Sequence, residues 1–310
     1  MLRQLAYGIA TFLPGVHHLR SRGTGGTNSA RYCYSVWLRH IVKAARNGLV
    51  PHPGTIAELG PGDSLGIGLA GLVSGCRQYV AFDVVRHASA RENARILEEL
   101  IGLFRSRAEI PGDDEFPHTK PKLDDYRFPT DLFPDEHLEA ALAPTRLEKI
   151  RTSVSAPDAP GSLIRYRVPW HDSRVLEPES VDMIYSQAVL EHVNDLPSTQ
   201  AAMHSWLRRG GYMSHQIDFR CHGTATEWNG HWRYGDLLWT LIKGRRPYLL
   251  NRLTHSQHLE AILRAGFEVV QDDRQLSPSR YSRDDLAPRF RNIPPDDLTT
   301  SGAFVQAVKR

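Results

Sequence analysis

Ala57-Glu58-Leu59-Gly60-Pro61-Gly62-Asp63-Ser64-Leu65-Gly66 sets a glycine turn between a short apolar run, Thr55–Leu59, and a helical stretch over residues 67–73. Glycine suits such a turn for two reasons: its backbone reaches torsions closed to other residues, and the missing Cβ lets a ligand touch the main chain. The helix that follows presents free N–H groups to the same point. The next apolar run, Gln78–Phe82, ends in Asp83. An acid there, roughly 20 residues past the glycines, is placed to accept hydrogen bonds from both hydroxyls of a ribose; the alternative role is a helix N-cap.

Outward from this turn, short apolar runs alternate with helical ones, which is the pattern of a parallel sheet with crossover helices. Further strands are expected at residues 162–168, 181–186, 211–218, 267–271 and 303–308. Upstream, Tyr34, Trp37, Leu38, Ile41 and Val42 recur at helical spacing over residues 30–47, with Gly48 as the stop. The glycine-rich segment 22–28 before that helix reads as a flexible or ligand-wrapping loop. Residues 2–13 are apolar in places, too short to span a bilayer, and halted by Pro14; no convincing cleavage site follows. They suit a short amphipathic helix that packs on the domain or rests on a membrane surface. Residues 105–161 are rich in proline and acid and exceed a minimal α/β repeat. They read as an inserted lid or substrate-recognition element, or as a disordered excursion in their first half, with residues 135–151 helical.

These motifs resemble those of class I S-adenosylmethionine methyltransferases. Glu58-x-Gly60-x-Gly62-x-x-x-Gly66 is similar to the first motif of that family and Asp83 to its ribose-binding acid. Residues 180–193, ending Leu190-Glu191-His192-Val193, resemble its fourth strand and following helix; Leu207-Arg208-Arg209-Gly210-Gly211-Tyr212 resembles the turn into the fifth strand. The helix at 256–265 followed by Gly266-Phe267-Glu268-Val269 resembles the sixth unit. The likeness covers about residues 55–103 and 162–272. It implies an α/β fold with a Rossmann-like seven-stranded, mostly parallel sheet and helices on both faces. An N-terminal helical extension (1–50) would precede a methyltransferase domain (51–310) carrying the insertion at about 105–161. It further implies S-adenosylmethionine as cofactor, bound through Glu58, Gly60, Pro61, Gly62, Asp83 and Ser186. One departure stands out: where relatives often carry an acid for the adenine amino group, this chain has Trp170-His171-Asp172, so Asp172 would serve one or two positions late. A nicotinamide-dependent dehydrogenase is the chemical rival. It is disfavoured by the G-x-G-x-x-x-G spacing and by the Leu190–Val193 element. A non-catalytic S-adenosylmethionine-binding protein is the other alternative.

Methyl transfer is an in-line displacement, so the protein mainly aligns a nucleophile at ~3–3.5 Å and, for a hydroxyl, supplies a base. Residues past the fourth and fifth strands should face the reacting methyl. His192, Asp218, His222 and His231 are therefore the candidate catalytic residues, with His192 alternatively scaffold and His215 a core or supporting group. Asp218, His222 and His231 have metal-binding chemistry, but their spacing matches no tight ligand motif and no metal is expected. Trp228, Trp232 and Trp239 fall within a dozen residues, as either an acceptor-stacking wall or packing under a cap. Arg245, Arg246 and Arg252 would meet an anionic acceptor or solvate a face. The Asn/Asp-Pro-Pro-aromatic turn of enzymes that methylate nucleic-acid bases or protein amides is replaced by Ser186-Gln187-Ala188-Val189. O-methylation of a small-molecule or carbohydrate-type acceptor is thus the leading expectation.

Composition agrees with these limits. In 310 residues Lys and Arg number 38 against 35 Asp and Glu, which lacks the basic excess of a general nucleic-acid binder. Cys33, Cys76 and Cys221 form neither a disulfide framework nor a zinc set, pointing to a reducing, cytoplasmic protein without stable membrane insertion. No internal repeat or low-complexity tract is present, and the oligomeric state is left open.

Overall fold

The apolar runs assemble into one seven-stranded sheet in the computed structural model, which describes residues 2–13, 26–169, 173–246 and 249–310. The strands are β1 (Thr55–Leu59), β2 (Gln78–Phe82), β3 (Ile164–Arg167), β4 (Val181–Gln187), β5 (Leu207–Asp218), β6 (Phe267–Leu276) and β7 (Thr300–Lys309). Their order across the sheet is β3-β2-β1-β4-β5-β7-β6. β7 runs antiparallel to both neighbours, and the pairings among β1 to β5 are parallel. Chain order reverses between β1 and β4, which opens a crevice at their carboxyl ends, where ligands of such sheets bind.

Strand residues alternate between two cores. Ile56, Tyr79, Met183 and Tyr185 face one cluster, shared with α2 (Ala30–Arg46), α3 (Gly66–Val73) and α4 (Ala90–Arg105). Ala57, Val80, Phe82 and Ile184 face the other, shared with α7 (Leu196–Trp206) and α9 (His255–Arg264). Burial on both faces explains the continuous apolar runs of the central strands. Helices therefore cover both faces, as expected.

Boundaries differ where the apolar signal fades. β6 extends past Gln271 through Asp272-Asp273-Arg274-Gln275 because it is an edge strand with one solvated face. β5 begins at Leu207, and its first turn of polar residues, Arg208 and Arg209, is exposed. The expected helix after β4 is instead a single 3-10 turn, Leu190–His192; α7 starts only at Leu196, where Asp195 accepts the Ser198 amide at 3.1 Å.

Residues 105–161 are packed rather than a loose excursion. Ile110, Leu123, Phe128 and Phe133 join the core of α2 and α4. Buried Arg39 of α2 ties the segment down by donating to the carbonyls of Pro111 (3.0 Å) and Pro121 (2.8 Å). The helical part breaks into α5 (Asp135–Ala141) and α6 (Pro144–Ser155), because Pro144 favours a helix start over a helix interior. The opening segment forms α1 (Leu2–Ala10), which packs on α8 (Asp236–Lys243). Gly8 permits this contact, since a Cβ there would lie 2.1 Å from the Leu241 carbonyl oxygen. No helix among the described residues is long and apolar enough to cross a membrane.

Candidate active site

The glycine turn sits at the carboxyl end of β1, at the crevice. Gly60 and Gly62 adopt φ of +65° and +75°, the left-handed region that favours glycine. The Gly60 amide donates to the Phe82 carbonyl at 2.8 Å, which fastens the turn to β2, and a Cβ on Gly60 would meet Val189 at 2.7 Å. From the far side, Ser64 and Leu65 are held by Thr27 and Asn93: the Ser64 amide donates to Thr27 Oγ1 at 3.2 Å and the Leu65 amide to Asn93 Oδ1 at 2.9 Å. Residues 26–28 of the glycine-rich segment are thus laid against the turn; residues 22–25 lie outside the described residues. Asp83, at the end of β2, is largely buried and accepts the Val84 amide at 2.7 Å. Burial raises its carboxyl above the usual range, partly offset by the amides of Val84, Val85 and Gly62. Val84 and Val85 beside it are exposed, an apolar surface next to a polar clamp.

Two residues assigned to the cofactor lie beneath this surface. Glu58 is buried on the opposite face of β1, where the hydroxyls of Tyr79 and Tyr185 donate to its Oε2, the latter at 3.1 Å. Burial lifts this carboxyl to about 7 despite those bonds. Its place is under the loop, supporting it, rather than on the crevice wall. Ser186 is likewise fully buried and bonded to His215 Nδ1 at 2.7 Å. Pro61 lies within the turn and is buried. Asp172, with Trp170 and His171, falls outside the described residues.

Past the ends of β4 and β5, three of the four candidate catalytic residues converge. His222 Nε2 lies 3.2 Å from Asp218 Oδ2, and the His192 and His222 rings are 5.2 Å apart. Arg220 grips the same Asp218 carboxylate with contacts of 2.6–3.1 Å. Burial alone would raise Asp218, but the bonds from His222 and Arg220 outweigh it and hold the carboxyl well below the usual range. The loop is bent to do this: His222 has φ +46°, a conformation uncommon for a non-glycine residue. His231 comes near this group but is buried against Trp232, with ring centroids 5.1 Å apart, and burial drives it down to about 3. It is a neutral core histidine; a surface role is corrected by its place in a 3-10 turn (Gly230–Arg233) folded under the C-terminal segment.

The same packing accounts for two of the three tryptophans, Trp228 being only partly buried. Trp232 and Trp239 are buried, the first with Leu286 and Phe290, the second with Ile242 and Leu250. They form cap cores instead of an acceptor wall. Arg252 is buried too, lying over the rings of Trp239 (4.8 Å) and Phe290 (5.2 Å) and paired with Asp236 at 2.6 Å. Arg246 bonds Gln4 of α1 at 3.0 Å.

Other residues were not anticipated. Glu191 is buried beside Asp218; neither carboxyl oxygen makes a hydrogen bond of ordinary geometry, and burial raises it well above the usual range. In sequence it stands in the Leu190–Val193 element of the family resemblance, an acid set after the apolar stretch Ala188-Val189-Leu190. Gln187 ends β4 and donates to the Lys120 carbonyl at 3.1 Å, which brings the 105–161 segment to the crevice. Among the described residues no three His, Cys, Asp or Glu side chains form a set that could hold a metal ion.

Comparison with known proteins adds a family likeness. A sequence model of a methyltransferase domain matches residues 35–272. No curated protein matches the chain. Among solved structures, an S-adenosylmethionine-dependent methyltransferase from Mesorhizobium loti is 15% identical, with 92% of this chain and 100% of that chain covered and a TM-score of 0.42. One from Methanosarcina mazei is 12% identical over 86% of this chain and 96% of that chain, with a TM-score of 0.44. Phosphoethanolamine N-methyltransferase 2 of Haemonchus contortus, in complex with S-adenosyl-L-methionine, is 13% identical over 98% of this chain and 56% of that chain, with a TM-score of 0.44.

Proposed function

The chain belongs to the family defined by this methyltransferase domain, and from that premise we propose that it methylates a hydroxyl oxygen of a small-molecule or carbohydrate-type acceptor. It is an S-adenosylmethionine-dependent methyltransferase. When bound, the cofactor supplies a methyl group already activated as a sulfonium. The residues fit such a ligand: Gly60 and Gly62 give it bare backbone, Asp83 offers a carboxyl to the ribose hydroxyls, and Val84 and Val85 offer apolar cover for a flat ring.

The observation that carries the acceptor reading is the Asp218–His222 pair. With Nε2–H donating to Asp218, the His222 Nδ1 keeps a lone pair and takes the acceptor's hydroxyl proton as the oxygen is methylated. Asp218 fixes the tautomer and stabilises the imidazolium that results. Arg220 keeps Asp218 ionised, and burial disfavours a second negative charge on Glu191 behind it. An acid–base pair of this kind has no use in a protein that only binds the cofactor. We also place the protein in the cytoplasm, on its three free, buried cysteines.

The test uses methyl-labelled S-adenosylmethionine with a panel of hydroxylated small molecules and sugars, each paired with its deoxy and amino counterpart. Label is expected in the hydroxylated members and absent from the deoxy ones. Label carried only by the amino counterparts would overturn the hydroxyl assignment.

A further inference from the structure

Two stretches of the chain contain no carboxylate. Asp and Glu number 35 in the 310 residues, yet none occurs from residue 1 to residue 57 and none from 237 to 259. The fold brings these stretches together: α1 packs on α8, with Thr11 Oγ1 accepting the Arg245 amide at 2.8 Å. The outer face of the pair is apolar. Ile9, Phe12, Leu13 and Leu237 are 48%, 44%, 61% and 78% exposed, four of the nine large apolar side chains exposed among the described residues. Along α1 the exposed positions are Arg3, Ala6 and Ile9, continuing into Phe12 and Leu13, so one stripe of the helix is left uncovered. Cations frame it: Arg3 and Arg245 are exposed, Arg245 lies over the Phe12 ring at 5.7 Å, and Arg246 lies over Tyr7 at 5.0 Å.

We propose that the α1–α8 face docks the enzyme on an anionic lipid bilayer. Apolar side chains entering the headgroup boundary, framed by Arg3 and Arg245, with the carboxylate that opens α8, Asp236, already paired with Arg252 and Arg289, are what an interfacial helix uses. A nucleic acid would match the charge and leave the apolar stripe uncovered; a second copy of the chain would cover the stripe and leave like charges facing each other. The face adjoins the acid–base site. Gln4 of α1 donates to the Gly223 carbonyl at 3.1 Å, one residue past His222, so a docked protein holds the mouth of its acceptor site near the lipid surface.

The full chain is tested by co-sedimentation with vesicles of phosphatidylcholine alone and of phosphatidylcholine mixed with phosphatidylglycerol. Binding is expected to the mixed vesicles, to weaken as salt is raised, and to fall by about tenfold or more in the Phe12→Asp, Leu13→Asp double variant. Both side chains are exposed, so the variant should keep its melting temperature. Arg245→Glu is the second variant and should weaken binding while keeping every apolar side chain of the stripe. Four results overturn the proposal: no retention on either vesicle; equal retention on both; unchanged binding in both variants; or self-association abolished by the double variant with no vesicle binding.

Discussion

The His222→Asn variant is expected to turn over a hydroxyl acceptor about 10²–10⁴-fold more slowly than the wild type, the usual loss when a positioned general base is removed. Its affinity for S-adenosylmethionine should be unchanged, because the Gly60–Gly62 turn and Asp83 stand on β1 and β2 and share no hydrogen bond with the loop after β5. Asn keeps polarity and a similar size while losing the basic nitrogen, so the left-handed backbone at position 222, which Asn tolerates, is kept as well. The measurement is turnover beside calorimetric cofactor binding on the same preparation. A variant with full turnover would remove His222 from the chemistry.

Stability should fall steeply in mild acid. His40, His215, His231 and His258 are buried, and burial lowers them to about 4, 3, 3 and 3 respectively. Each stays neutral in the folded protein where the unfolded chain, near 6.5, has bound a proton. Unfolding therefore becomes easier as pH drops below about 6.5, by up to ~1.4 kcal/mol per pH unit for each histidine. Glu58, raised to about 7, and Glu191, also raised by burial, act the other way. They hold protons in the folded state that the unfolded chain has released, so they add stability at low pH that is lost as pH rises past 4.5. The four histidines outnumber the two opposing carboxyls, so net stability falls as pH drops between about 6 and 4.5. Below that the carboxyls are protonated in both states and the histidines act unopposed. Urea titrations from pH 7.5 to 5 check this, and His258→Phe should flatten the slope by one histidine's share. A pH-independent midpoint would show that these rings are not held neutral.

The central strands and the glycine turn were legible because burial on both sheet faces leaves a continuous apolar record, and because only glycine suits φ near +70° at Gly60 and Gly62. Asp218 and His222 stand out in the sequence as polar residues at and just past the end of β5, where packing gives little reason for them. Glu58, Ser186 and His231 show the limit of that logic. A sequence places a residue near a crevice, but alternation along a strand and the fold of a cap decide whether its side chain reaches the wall or the core. Glu58 shares the face of Ile56, not that of Ala57 and Leu59, and so meets Tyr79 and Tyr185. The tryptophans at 232 and 239 were ambiguous for the same reason, since their partners Leu286, Phe290 and Leu250 are distant in sequence. The ordered course of residues 105–134 depended on Arg39, a charged residue that gives no sign in sequence of being buried among carbonyls.

The most direct test of the central claim is calorimetric titration of S-adenosylhomocysteine, the cofactor product, into the wild type and into Asp83→Ala. The wild type should bind one equivalent, and the variant, lacking the carboxyl proposed to receive the ribose hydroxyls, should bind at least about tenfold more weakly, the loss of roughly one charge-assisted hydrogen bond. Equal affinity in the two proteins, or no binding by the wild type, would contradict it.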